Sequence, residues 1–180
     1  MKQILFSACL CLFLFAGCKK DSTEPEGNYF GYAKAEINGV TVNFNKARAA
    51  LLYNLDDSIS VIFEKWDGLL LKESIDMQKI YKRTTNPQRV YKYQNNINRI
   101  QRLSSAYYTL SNGGDVICDV YDNYEPDSLQ NYITITSFNP QTNEIRGTFQ
   151  ATYLIERPKC RPAAPDTIRI RNGEFYTKIF

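Results

Sequence analysis

The sequence predicts an all-β protein: an antiparallel β-sandwich or small β-barrel of about ten short strands, with one long irregular or partly helical connection. Three observations predict it. Apolar and polar residues alternate, at the two-residue period of a half-buried strand, over most of the chain after residue 28. Asn-Gly and Asp-Gly pairs punctuate the alternation where turns are needed. Helical periodicity is hard to find over the same region.

The elements follow in order. Tyr29 to Ile37, then Asn38-Gly39, then Val40 to Phe44 is a strand, a two-residue turn and a strand, the strongest short hairpin signal. Ala47 to Tyr53 is a weaker strand. Ser58 to Lys65 puts Ile59, Val61 and Phe63 on one face, Trp66-Asp67-Gly68 reads as a turn, and Leu69 to Ile75 returns. Gln78 to Arg102 is the long connection; Gln94 to Leu103 within it spaces Ile97, Ile100 and Leu103 as a short helix would. Ala106 to Leu110 and Asp115 to Tyr121 are weaker strands. Asn131 to Ser137 sets Ile133 and Ile135 on one face, and Glu144 to Glu156 aligns Ile145, Gly147, Phe149, Ala151, Tyr153 and Ile155. Thr167 to Arg171, Asn172-Gly173 and Glu174 to Phe180 read as a closing hairpin.

Ahead of these strands lies an export signal. Lys2 precedes an uncharged apolar run, Ile4 to Ala16, too short for a transmembrane helix of ~20 residues and of the length of a signal-peptide core. Phe15-Ala16-Gly17-Cys18 resembles a bacterial lipobox, with Phe15 in place of the usual Leu or Val. The resemblance implies cleavage before Cys18 and lipidation of its thiol. Two or more acyl chains hold a protein stably on a bilayer at ~0.8 kcal/mol per buried methylene, so no other membrane contact is required. Lys19 to Asn28 is polar, with Pro25 and Gly27, and reads as a flexible tether. The expected organisation is a signal peptide over 1–17, a lipidated cysteine and tether over 18–28, and one β domain over 29–180.

Composition narrows the function. The 180 residues contain no histidine, which removes Ser-His-Asp and Cys-His nucleophile pairs, HExxH zinc sites and any histidine general base. A net charge of +3, less one once Lys2 is removed, predicts no general affinity for nucleic acid. Cys9 and Cys11 fall in the signal peptide and Cys18 takes the lipid. Cys118 and Cys160 remain, an even pair in an oxidising compartment, as a candidate disulfide.

A family resemblance covers the opening and about the last third of the chain. Tyr132 to Thr136, Ile145 to Phe149 and Ile170 to Phe175, with the early Ala35-x-Ile37-Asn38-Gly39, resemble small, largely uncharacterised all-β lipoproteins of the Bacteroidetes lineage. Their shared features are turn glycines and core aromatics. The resemblance implies a fold and a place in the outer membrane, facing the periplasm or the exterior, and no catalytic residues.

Charge is unevenly distributed. Met77 to Gly114 holds Lys79, Lys82, Arg83, Arg89, Lys92, Arg99 and Arg102 and no acid, whereas Asp115 to Asp127 holds five acids and no base. The two stretches neutralise each other, or both are solvated loop faces, or the basic one meets an external anion such as a glycan or a lipid headgroup. Trp66, Tyr91, Tyr93, Arg89, Lys92, Arg99 and Arg102 are the candidate ligand contacts, for a glycan or another envelope protein. The acids Asp115, Asp119, Asp122 and Asp127 lack calcium-loop spacing. Glu64, Asp67, Glu73 and Asp76 lie on neighbouring strands, where paired carboxylates would be needed for glycoside hydrolysis, yet no spacing singles out a pair. The expectation is a non-enzymatic binding or structural module without metal or cofactor, and the alternative is a carbohydrate-active accessory protein.

Overall fold

The computed structural model of the protein describes residues 31–52, 57–92, 102–111, 113–127, 129–156 and 158–180. Twelve strands run through them. They are β1 (Gly31–Ile37), β2 (Val40–Phe44), β3 (Lys46–Leu51), β4 (Ser58–Asp67), β5 (Leu70–Tyr81) and β6 (Gln88–Arg89). The second half supplies β7 (Tyr91–Lys92), β8 (Ser104–Leu110), β9 (Ile117–Asn123), β10 (Tyr132–Asn139), β11 (Glu144–Ile155) and β12 (Thr167–Lys178). No α-helix occurs among the described residues; the one helical turn is of 3-10 type, at Glu125–Asp127. The helical turn expected around Gln94 to Leu103 lies largely outside them, although Leu103 itself is buried just ahead of β8.

The strands form one sheet in the order β2-β1-β12-β11-β9-β8-β5-β4-β3, with β10 beside β11 and β7 beside β8. All pairs are antiparallel except β7 with β8. The path ends at β2 and β3, so the sheet is not a closed barrel. It folds over as a sandwich does. β9 meets β11 at only three positions, Tyr153 to Ile155, and β3 lies against the tail of β12 through an Ala49–Ile179 bridge. Ring contacts cross between the two layers. Phe63 of β4 stacks on Phe149 of β11 at 4.7 Å and meets Phe175 of β12 at 5.1 Å. Tyr107, Tyr121 and Tyr153 form a second aromatic group, with Tyr107 edge-on to Tyr121 at 5.5 Å.

Asn38 and Gly39 both have positive φ, 50° and 83°, as a two-residue hairpin turn requires. The Asn-Gly pair near the C-terminus behaves differently, and the expected closing hairpin is one continuous strand, β12. Asn172 has a φ of 51° but Gly173 does not leave the extended region. The register against β11 shifts here by one residue, so this Asn-Gly makes a bulge that bends the strand. The turn expected at Trp66-Asp67-Gly68 also moves. β4 continues to Asp67 because Asn45 brackets the Trp66 backbone, accepting from its N–H at 2.8 Å and donating to its carbonyl at 3.0 Å.

Candidate functional site

The inward face of β4, β5, β8 and β9 changes character over two residues. The register sets Phe63, Ile75, Tyr107 and Tyr121 side by side across these strands. Two residues further toward the β4–β5 and β8–β9 turns, the same face carries Lys65, Glu73, Thr109 and Asp119. Apolar core therefore gives way to a polar mouth at one end of the sandwich. A cleft of about 620 Å³ opens there, with Tyr107 and Tyr121 at its floor and Trp66, Lys72, Leu110, Arg161 and Ile168 around it.

The charges in the cleft are arranged in depth. Glu73 accepts from the Lys65 ammonium at 2.8 Å and from the Tyr107 hydroxyl at 2.5 Å, one bond to each carboxylate oxygen. Asp119 accepts from the Arg161 Nε at 2.8 Å, the Cys160 N–H at 2.9 Å and the Arg161 N–H at 3.3 Å. In both pairs the cation lies outward: Arg161 is 51% exposed against 0% for Asp119, and Lys65 40% against 22% for Glu73.

These contacts set the protonation states. Burial pushes the Tyr107 phenol far up, and the charge and hydrogen bond of Glu73 push it further, so it stays a neutral donor. Tyr121 is raised by burial and by Asp119, and its hydroxyl donates to the Pro165 carbonyl at 3.2 Å. Burial alone would raise Asp119, but its bonds from Arg161 and Cys160 outweigh it and hold the carboxyl below the usual range.

The wall carrying Arg161 is the connection between β11 and β12. It is fastened by the Cys118–Cys160 disulfide, with a Cα–Cα distance of 5.2 Å. Asp119, next to Cys118, binds the same segment, and Lys159 clamps it from within, donating to the Ala164 carbonyl and reaching Asp166, both at 2.7 Å.

The structure separates the residues singled out from the sequence. Trp66 does border the mouth, but not as an open stacking plate at a turn. It is half-buried, its indole N–H donates to Glu64 at 2.8 Å, and the Lys46 ammonium lies over its ring at 4.4 Å. Arg89, Tyr91 and Arg102 form a separate group, with the guanidinium groups 5.9 and 5.3 Å from the Tyr91 ring. Tyr93 and Arg99 lie outside the described residues.

Among the described residues, the basic and acidic stretches meet at the Lys92–Asp122 salt bridge, at 3.8 Å. Asp122 lines a second cleft with Glu156, Tyr124 and Lys92. Its carboxyl is pushed up to about 6 by burial, then by the hydrogen bond and charge of Glu156, against the pull of Lys92. Asp119 is instead bound by Arg161, and Arg83 of the basic stretch pairs with Asp57 at 2.8 Å. Asp115, expected to open a strand running to Tyr121, sits before β9 in the turn, near the Ser111 hydroxyl at 3.4 Å.

The four carboxylates near β4 and β5 do not gather on one face. Glu64 and Asp76 share the outer face, the first bonded to Trp66 and the second to Gln78, while Glu73 points into the mouth and Asp67 stands exposed at its rim. Lys65, Thr109 and Arg161 were not singled out from the sequence. Polar residues standing in the apolar phase of four strands were the available signal, and only strand pairing shows that they adjoin. No family model matches the chain, and no curated protein or solved structure matches it significantly.

Proposed function

We propose that the protein is a lipid-anchored lipoprotein of the bacterial outer membrane or cell surface, acting without catalysis as a binding module. The placement of the mouth cleft relative to Gly31 carries this function. Gly31 pairs with Thr177, nine residues along β12 from Ile168 at the cleft. That is roughly 30 Å of extended strand. A tether from a lipidated Cys18 meets the domain at the far end from the cleft, so the cleft opens away from the bilayer that holds the lipid.

The lining supports binding over hydrolysis. Both oxygens of Glu73 are already engaged, by Lys65 and Tyr107, and Glu64 and Asp76 lie on the other face of the sheet. Charged heads, two phenols and Leu110 make a mixed surface that suits a glycan better than an apolar ligand.

Metabolic labelling with palmitate tests the anchor. The wild type incorporates label and fractionates with outer membrane, and Cys18→Ser does neither. Normal labelling of Cys18→Ser overturns the anchor, and reducing sugar released from a glycan panel overturns the absence of catalysis.

A further inference from the structure

We infer that the mouth cleft takes an acidic glycan, a saccharide chain bearing carboxylate or sulfate groups; this rests on the cleft being the binding site. By formal charge the mouth is balanced, with Lys65, Lys72 and Arg161 at its lining against Asp67, Glu73 and, beneath Arg161, Asp119. A ligand meets a different charge. Glu73 and Asp119 lie behind their cations and each oxygen of both accepts from a protein donor, while Asp67, at the end of β4, stays exposed at the rim. The Lys65 ammonium has donors beyond its bond to Glu73, and the Arg161 Nη groups make no hydrogen bond among the described residues. Each cation is held in place by a carboxylate beneath it, so binding an anion costs little side-chain ordering.

Spacing selects the ligand further. Glu73 and Asp119 stand two strands apart in the sheet, on β5 and β9 with β8 between them. That is roughly 10 Å, so the cations they fix bracket the cleft and one acid group cannot bridge both. A chain with acid groups on successive or alternate sugars meets Lys65 and Arg161 together. Between them, the Tyr107 and Tyr121 floor and Leu110 offer apolar surface to the C–H faces of the rings.

Calorimetric titration reports occupancy, because the Trp66 indole is turned to Glu64 on the outer face. The full-length lipoprotein, in detergent, is titrated with oligogalacturonate, a sulfated oligosaccharide, a neutral oligosaccharide of equal length and polyglutamate. Saturable binding to one or both acidic glycans is expected, weakening steeply with added salt. Binding to oligogalacturonate alone assigns a carboxylate ligand and binding to the sulfated chain alone a sulfate ligand.

Lys65→Gln and Arg161→Gln should each weaken binding at least tenfold. Thermal melts confirm that both are folded. Equal affinity for the neutral glycan, or unchanged affinity in folded Lys65→Gln, overturns the acidic ligand and leaves glycan binding standing. Polyglutamate binding as tightly as the glycans overturns the saccharide class. A flat response to every ligand overturns the cleft as a binding site as well.

Discussion

Phe149 lies across Gly173, its partner on the adjoining strand, so closely that a Cβ on the glycine would sit 2.8 Å from the ring and 2.5 Å from the Phe149 carbonyl. The relation is reciprocal. Phe175 covers Gly147 on β11, where a Cβ would sit 2.5 Å from the ring and 2.4 Å from the Thr134 carbonyl. Each strand thus donates an aromatic ring to the glycine of the other, and the two rings flank Phe63 from the opposite layer. Gly173→Ala and Gly147→Ala should each cost about 1–3 kcal/mol, as overpacked cores do. Chemical denaturation measures it. Phe149→Leu should not rescue Gly173→Ala, because the backbone clash remains.

Asp119→Asn should destabilise by about 2–3 kcal/mol, the range for hydrogen bonds to a charged group. Its carboxyl lies below the usual range when folded, so its contribution is present at neutral pH and is lost as pH falls below the unfolded value of ~3.9. Melts recorded down an acid series should show this decline in wild type and a smaller one in the variant.

Asp122 should behave in the opposite sense. Its folded value of about 6 lies above the ordinary one, so the native state holds the proton more tightly. Its contribution is full in acid and is lost as pH rises from ~4 through 6. Asp122→Asn mimics the protonated form. It should melt higher than wild type at pH 7.5, with the gap closing by pH 4.5, despite the loss of the Lys92 pair. An internal role as neutraliser of the basic stretch requires the reverse, a lower melting temperature that worsens at low salt.

Removing the disulfide with Cys118→Ser and Cys160→Ser together should cost up to ~4 kcal/mol for its 42-residue separation, on the chain-entropy estimate. The loss should appear in thermal melts. The same variant should bind any cleft ligand more weakly even below its melting point, because Arg161 is one residue from the bond.

Local pattern carried much of the fold. Ile145, Gly147, Phe149, Ala151, Tyr153 and Ile155 share one phase of β11, and all six are buried. Asn38-Gly39 turns where its type predicts, because both residues are free to take positive φ. The same dipeptide at 172–173 misleads, because Gly173 is kept extended beneath Phe149, a contact set by the neighbouring strand. The mouth was illegible for the same kind of reason. Glu73 and Thr109 adjoin across strands 36 residues apart in sequence, and Arg161 reaches Asp119 over a separation of 42. Residue type says that such groups are charged; pairing alone says which lies deep and which faces solvent. Trp66 is half-buried beside the turn, and what its neighbourhood in sequence does not show is that Asn45 and Lys46, from the preceding strand corner, fix and cover it.

The fastening of the β11–β12 connection by Cys118 and Cys160 places a clock on the molecule. Thiols join only where the surroundings oxidise them. Without that bond the β11–β12 wall is held by hydrogen bonds, from Cys160 and Arg161 to Asp119 and from Tyr121 to the Pro165 carbonyl. On the proposed route to the outer membrane, competence for a ligand would therefore arrive only once the segment is bolted down.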